Sequence, residues 1–319
     1  MKSTDLALEP LEADLARFEK VLSKSVSSSL PLMENASRYS VLAGGKRLRP
    51  ALAIACAYGV KGIEPVSEEI LDGACAVELV HAGSLHHDDV MDNATTRRGI
   101  KSINVQFSNT TAILSGDFLL GRASIISAKL GANIAIILGE TILELCVGQI
   151  VEQQNLFDGD RSIEQYIKAI EGKTASLFSS TCKIGATLSG ANDKTVQALT
   201  EFGFHLGMTF QIIDDLLDLT STSEALGKPA GNDIREGNYT LPVILAIQDN
   251  PSLKEKLQQE DELDATLKIV REEKYISKTK IMALEHVEKA TLSLENTQLN
   301  EEVKSSFIKL LSGLTQRAS

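Results

Sequence analysis

Apolar residues recur every three or four positions along most of this chain, and no succession of strands with period-two alternation is visible. Val196, Leu199, Phe202 and Leu206 form one such stripe, opened by Asn192 or Asp193. Ser67 reads as an N-cap, with Glu68 and Glu69 well placed for the first turn of a helix running through Asp88. Further helices are predicted over Leu11–Ser25, around Tyr39–Leu42, and over Ala112–Leu130, Ile134–Gln153, Ile163–Ile170 and Thr174–Leu188. After Pro242 the pattern becomes amphipathic and charged, predicting Ser252–Gln259, Asp264–Glu273, Ile276–Leu292 and Glu301–Leu314. Seven prolines are unevenly spread, with none between Val66 and Lys228, and that interval is rich in Ala, Leu, Ile and Glu. The expectation is an all-α chain with one domain over residues 1–319, a layered bundle of about ten helices.

Composition narrows the partners. Hydrophobic residues make up 43% of the 319, enough for a large core. The formal net charge is -11, which disfavours nucleic acid and anionic membrane surfaces. An anionic ligand therefore requires a local basic pocket or a bridging metal. Cys56, Cys75, Cys146 and Cys182 lack metal-ligand spacing and sit among apolar residues, so buried free thiols in a reducing compartment are expected. The start MKSTDLALEP lacks the regions of a signal peptide. Continuous apolar runs such as Ile134–Leu138 are too short to span a bilayer. A cytoplasmic protein, with at most peripheral membrane contact, is the reading.

Two acidic clusters then stand out. Asp88, Asp89 and Asp92 form a DDxxD, repeated by Asp214, Asp215 and Asp218. In each, the first and last aspartates are neighbours on one helix face, where like charges destabilise the helix slightly. One cluster reads as a solvated helix end. Two, each following an apolar stretch, point to metal binding. Carboxylates without thiolates suit hard cations, and Mg²⁺ characteristically bridges one or two carboxylates to a substrate's phosphates. Two acidic helix ends are thus expected to grip one diphosphate through several ions.

Basic groups accompany the first cluster. Arg97 and Arg98 follow the NATT loop, and LAGGKRLRP (Leu42–Pro50) supplies Lys46, Arg47 and Arg49 after a glycine pair. GGK alone is a surface turn and not a P-loop; beside the aspartates, an anion pocket is the better reading. His81 shares the stripe of Asp88 two turns earlier and reads as a phosphate contact. His86 and His87 read as packing groups or supports behind a metal site, and His205 and His286 receive no function.

With both DDxxD motifs and GGKRLRP, the chain resembles the trans-isoprenyl diphosphate synthases, or polyprenyl synthetases, from Gly44 to about Pro242. The resemblance implies the all-α isoprenoid synthase fold around a deep cavity. It implies two substrates, isopentenyl diphosphate and an allylic diphosphate, and Mg²⁺, three ions with substrate bound. Lys46, Arg49, His81 and Arg98 match the isopentenyl diphosphate site. Arg97, Lys173, Thr174, Gln211 and Lys228 match the allylic site, with Thr174 and Gln211 also stabilising the carbocation. Asp88, Asp92 and Asp214 match metal ligands, with Asp89, Asp215 and Asp218 acting directly or through water. One departure stands at Asn238 in GNYTLP, where many relatives carry a lysine, so one allylic-side cation is missing.

Gly83 and Ser84, one turn before Asp88, leave room for a growing tail. In the family, small residues there accompany medium- or long-chain products, hexaprenyl to decaprenyl, suited to a quinone side chain. The bland reading of the same residues is close helix packing. The resemblance leaves open a homodimer or a heterodimer with a small regulatory subunit. The competing readings are a farnesyl or geranylgeranyl diphosphate synthase, a class I terpene cyclase and a non-catalytic regulatory subunit. The second DDxxD and the GGKRLRP segment disfavour the cyclase, and two intact aspartate motifs disfavour the regulatory subunit.

Overall fold

The computed structural model of the chain describes residues 3–220, 231–295 and 297–317. Its helices of eight residues or more are α1 (Leu11–Ser25), α2 (Pro31–Val41), α3 (Leu48–Lys61), α4 (Glu68–Met91), α5 (Asn109–Leu130), α6 (Ala132–Gln154) and α7 (Ile163–Ile170). They continue with α8 (Ser176–Leu188), α9 (Asp193–Thr220), α10 (Leu241–Asp249), α11 (Leu263–Val270), α12 (Glu273–Glu295) and α13 (Glu301–Gln316). Among the described residues the β structure is one antiparallel pair, β1 (Thr96–Arg97) with β2 (Ile100–Lys101).

The helices gather into two compact units. One comprises Met1–Ile142, Ser180–Thr200 and Asn296–Lys309; the other comprises Leu143–Ser179, Glu201–Glu295 and Leu310–Ser319.

In the first unit, α4 packs most extensively against α5, and also against α3 and α1. The α4–α5 crossing is close because glycines meet there: a Cβ on Gly83 would stand 3.1 Å from the Gly116 carbonyl oxygen. The helix α3 was not among the predicted elements. Its residues Leu48 and Pro50–Gly59 are buried, so its sequence is apolar on every side and carries no one-sided period.

In the second unit, the last turns of α9 bury Ile212, Ile213, Leu216 and Leu219. Ile212 and Ile213 pack with Tyr166 and Ile170 of α7, while Leu216 and Leu219 pack with Tyr239, Val243 and Tyr275. The predicted helix over Ser252–Gln259 shrinks to the short turn Leu253–Lys256. The predicted start at Thr174 is instead a π-helical turn, Glu171–Ala175, ahead of α8. Backbone packing accounts for its position: a Cβ on Gly148 would lie 2.4 Å from the Lys173 nitrogen, and one on Gly172 would lie 2.8 Å from the Gly148 Cα.

One sequence expectation needs correction. Cys146 is exposed, unlike the buried Cys56, Cys75 and Cys182, because the apolar residues flanking it lie on the outer side of α6. An 18-residue stretch of α6 has a mean hydropathy of 1.9, so the helix is long and apolar enough to cross a membrane by length and composition only, a property that core helices of soluble proteins share.

His205 and His286 meet in the second unit, with their Nδ1 atoms 3.0 Å apart. Burial, His205 and then Lys289 push the His286 imidazole down to about 4, and burial lowers His205. Both are held neutral in the fold and accept protons more readily unfolded, so their contribution is complete above about pH 6.5 and is lost as pH falls towards 4. The unfolding midpoint is expected to fall between pH 6.5 and 5, measured by calorimetry. A His205→Gln/His286→Gln variant should show a shallower slope; an equal slope would remove the pair from the pH response.

Candidate active site

The first acidic motif closes α4. Asp88 is half-buried, Asp92 is the exposed C-cap residue, and Asp89 is only 2% exposed. Asp89 faces inward and is occupied: Arg97 Nε donates to its Oδ1 at 2.7 Å and the Ile103 amide donates to its Oδ2 at 3.2 Å. It thereby ties the loop and the β1–β2 turn to the helix end. The same turn presents Arg98 in a left-handed conformation, φ 55°. Arg98 Nη1 donates to the Gly44 carbonyl at 2.5 Å, and a Cβ on Gly45 would stand 3.1 Å from that nitrogen. The second glycine of the GGK segment is thus a place for a guanidinium to approach the backbone.

Arg47 departs from its sequence reading as one of the pocket's cations. Its left-handed backbone, φ 44°, precedes α3 and turns its side chain inward. There it donates to Glu19 at 2.6 Å, to Glu78 at 2.8 Å and to the Val41 carbonyl at 2.8 Å. Lys46 is left exposed and Arg49 half-buried. Burial pushes the Arg49 guanidinium down to about 10, Glu78 opposing and Arg98 adding. Burial lowers Arg98 too, with Glu78 opposing and Arg47 and Arg97 adding. His81 is held well below its ordinary range by burial, then by Arg49, Arg98, Arg97 and Arg47. Cations crowded together and partly desolvated favour an anion. Buried Glu78, absent from the motifs of the sequence, is the internal counter-charge of this cluster. Its signal was a glutamate inside the apolar run AVELVHA (Ala76–Ala82).

His86 lies between Ser40 and Ser115, donating to or accepting from each, in keeping with a packing role. His87 Nε2 lies 3.4 Å from Asp117 and 3.2 Å from the Ile113 carbonyl. Gly83 is buried at the α4–α5 crossing, so packing explains its size. Ser84 is half-buried and donates to the His81 carbonyl at 2.9 Å.

In the second unit the second motif ends α9. Asp214 is exposed, while Asp215 and Asp218 are 6% and 5% exposed. Tyr166 Oη and Gln211 Nε2 each donate to Asp215 at 2.7 Å. Burial, then Asp233, raises the Asp215 carboxyl well above the carboxylate range, against those two hydrogen bonds. The Asp233 amide donates to Asp218 Oδ2 at 3.2 Å and the Gly231 amide to the Asp218 carbonyl at 2.8 Å. The π-helical turn presents Lys173, paired with Glu152 at 2.6 Å, and Thr174, which donates to Gln211 Oε1 at 2.8 Å. Such turns interrupt helices frequently at functional sites. Lys228 lies outside the described residues.

The donor set fits a hard cation. Asp88, Asp92 and Asp214 are carboxylates at or near the surface, and the exposed thiol of Cys146 is far from them in sequence. Among the described residues no three His, Cys, Asp or Glu side chains converge as a metal cage. Mg²⁺ does not need one, because it completes its shell with water and substrate phosphate.

The polyprenyl synthetase family model matches residues 30–274. The chain is 38% identical over 258 residues to heptaprenyl diphosphate synthase component 2 of Bacillus subtilis (strain 168), covering 79% of this chain and 72% of that one. The solved heptaprenyl diphosphate synthase from Staphylococcus aureus matches with a TM-score of 0.89 at 32% identity, covering 97% and 99%. A polyprenyl synthase from Caulobacter crescentus CB15, complexed with calcium and isoprenyl diphosphate, matches with a TM-score of 0.90 at 27% identity, covering 100% and 98%.

Proposed function

Because the chain belongs to the polyprenyl synthetase family, we propose that it is a trans-polyprenyl diphosphate synthase, a prenyltransferase with the all-helical isoprenoid synthase fold that adds isopentenyl diphosphate repeatedly to an allylic diphosphate. One observation carries this reading: the guanidinium groups of Arg49 and Arg98 crowd around a neutral His81 in the same unit as the DDxxD end of α4. Lys46, Arg49, His81 and Arg98 hold the diphosphate of isopentenyl diphosphate. Arg97, Lys173, Thr174, Gln211 and Lys228 hold the allylic diphosphate.

The family is Mg²⁺-dependent, and Asp88, Asp92 and Asp214 would hold the metal here, as three ions with substrate bound. Mg²⁺, when bound, stabilises negative charge on the departing diphosphate. The carbon–oxygen bond of the allylic diphosphate breaks, and Lys173 and Arg97 meet the charge left on oxygen. Thr174 Oγ1 and the Gln211 amide oxygen turn electron density towards the allylic cation. The double bond of isopentenyl diphosphate attacks that cation, and a proton leaves to the released pyrophosphate. Asp89, Asp215 and Asp218 act through the groups they hold in place.

Product length falls between hexaprenyl and decaprenyl, suited to a quinone side chain. Two of the similar proteins carry heptaprenyl names, and the small Ser84 lies one turn before Asp88. The purified chain with Mg²⁺, farnesyl diphosphate and labelled isopentenyl diphosphate should give a long all-trans product by mass spectrometry. Products ending at geranylgeranyl length would overturn the long-chain reading; no product from a folded chain with any allylic primer would overturn self-sufficient synthesis. Ser84→Phe should shorten the product by at least one isoprene unit. Ser84 is the position to change, because a side chain on Gly83 meets the Gly116 backbone. An unchanged distribution would move the tail path elsewhere.

The partner is a second copy or a small regulatory subunit, and α6 carries the surface for it. Ile136, Leu143, Val147 and Ile150 lie on one face of the helix and are exposed by 57%, 67%, 48% and 58%. Burying that face in a subunit interface also accounts for its hydropathy. The relative from Bacillus subtilis is named a component 2. Light scattering on the isolated chain separates the two partners. Action in the cytoplasm, on soluble substrates, completes the reading.

A further inference from the structure

Asn238, which by sequence stands for a missing cation, is a junction in the fold. Its Oδ1 accepts from Arg161 Nη1 at 2.6 Å, and its Nδ2 donates to Glu152 Oε2 at 3.3 Å. The other oxygen of Glu152 accepts from Lys173 Nζ at 2.6 Å. Arg161 is 4% exposed, donates also to the Tyr239 carbonyl at 2.9 Å, and lies 5.6 Å from the centre of the Tyr166 ring. Tyr166 donates to Asp215, Gln211 donates to Asp215, and Thr174 donates to Gln211. The path therefore leaves from Lys173 and comes back to its neighbour Thr174, wholly inside one unit.

We infer that Asn238 and Arg161 are positioning residues that set the place of the Lys173 ammonium by acting through Glu152. This rests on the reading of Lys173 as a ligand of the allylic diphosphate. The chemistry at position 238 is restrictive. One face needs an acceptor for a buried guanidinium, and the other needs a donor for a carboxylate. An amide is neutral and offers both. Lysine there would set a second cation beside Arg161 and compete with Lys173 for Glu152. Aspartate would satisfy Arg161 but set a carboxylate against Glu152. The charge at this corner is supplied by Arg161 from beneath, and Asn238 passes its orientation to Glu152 without adding charge.

The restriction suggests a compensating pair. In Asn238→Asp with Glu152→Gln, the carboxylate introduced at position 238 accepts from Arg161 and from the side-chain amide introduced at position 152, whose oxygen still accepts from Lys173. Every hydrogen bond of the path is kept with one donor direction reversed. Asn238→Asp alone is expected to raise KM for the allylic diphosphate about tenfold, the size of one charge-assisted hydrogen bond. KM for isopentenyl diphosphate should stay unchanged, and the double variant should come back to within about threefold of the parent. Asn238→Ala, which adds no charge, should show the same split and covers the case in which Asn238→Asp fails to fold. An unchanged allylic KM in Asn238→Ala, or a double variant no better than Asn238→Asp, would overturn the inference. Lys173→Ala separates the two levels. If it raises the allylic KM while the Asn238 variants do not, only the positioning role fails; if it does not, the assignment of Lys173 fails with it.

Discussion

Asp88→Asn and Asp214→Asn should each lower turnover about a thousandfold, the usual scale for removing one preorganised electrostatic contact from a charged transition state. Neither should unfold the protein. Asp214 is exposed and Asp88 half-buried, and asparagine keeps the shape of each side chain without its charge. The middle aspartates should behave differently. Asp89 is 2% exposed and holds Arg97 and the Ile103 amide, so Asp89→Asn should cost stability as well as activity. Asp215 sits where burial favours the protonated carboxyl, which an asparagine resembles, so Asp215→Asn should be milder than Asp214→Asn. Steady-state kinetics at saturating Mg²⁺, with circular dichroism on the same samples, reads all four. Near-parental turnover in Asp88→Asn would sink the metal assignment; equal losses at Asp214 and Asp215 would sink the division of labour within the second motif.

Glu78→Gln should be the most destabilising single change in the cationic cluster. Glu78 is 4% exposed and pairs with Arg47, whose side chain is 9% exposed. Removing one partner of a buried ion pair typically costs about 3–5 kcal/mol, because the charge left behind is desolvated. Arg47 keeps Glu19, so the lower end of that range is expected. Arg49 and Arg98 also lose the charge that opposes their desolvation. An added anion should then substitute for the lost one. Inorganic pyrophosphate should raise the unfolding midpoint of Glu78→Gln more than that of the parent, since stabilisation by a ligand follows its affinity for the folded state. Glu301→Gln is the control, removing the exposed partner of Lys304, a pair worth less than about 1 kcal/mol. A loss in Glu78→Gln no larger than in this control would refute the counter-charge role.

The local pattern was informative where it was one-sided. Helices α1 and α7 match their predicted limits, since each has a clear apolar stripe and α7 also has a definite start. At α7 that start is a capping box between Ser162 and Gln165. The missed helix α3 is buried all round and offers no period to read. The charged stretch Ser252–Gln259 forms less helix than its spacing predicts, because polar residues at helical spacing do not by themselves bury a face, whereas the helices predicted over Ile276–Leu292 and Glu301–Leu314 form and run slightly further, as α12 and α13.

The sequence by itself determined the all-helical class, the two DDxxD motifs and the cations that belong with them. Those features are local: a repeat of apolar positions, three carboxylates in five residues, a glycine pair before lysine and arginine. The tertiary structure decided which of these groups face outward and which are already engaged. Spacing alone treats Asp88 and Asp89 alike, yet one is half-buried and the other is bound to Arg97. It treats Lys46 and Arg47 alike, yet a left-handed backbone turns Arg47 into the protein. Glu78, Glu152 and Arg161 carried no motif, because their partners at Arg47, Lys173 and Asn238 are 31, 21 and 77 residues away. The physical reason is common to all three: desolvation makes a charge seek its partner in space, and no short-range pattern records how the chain brings that partner near.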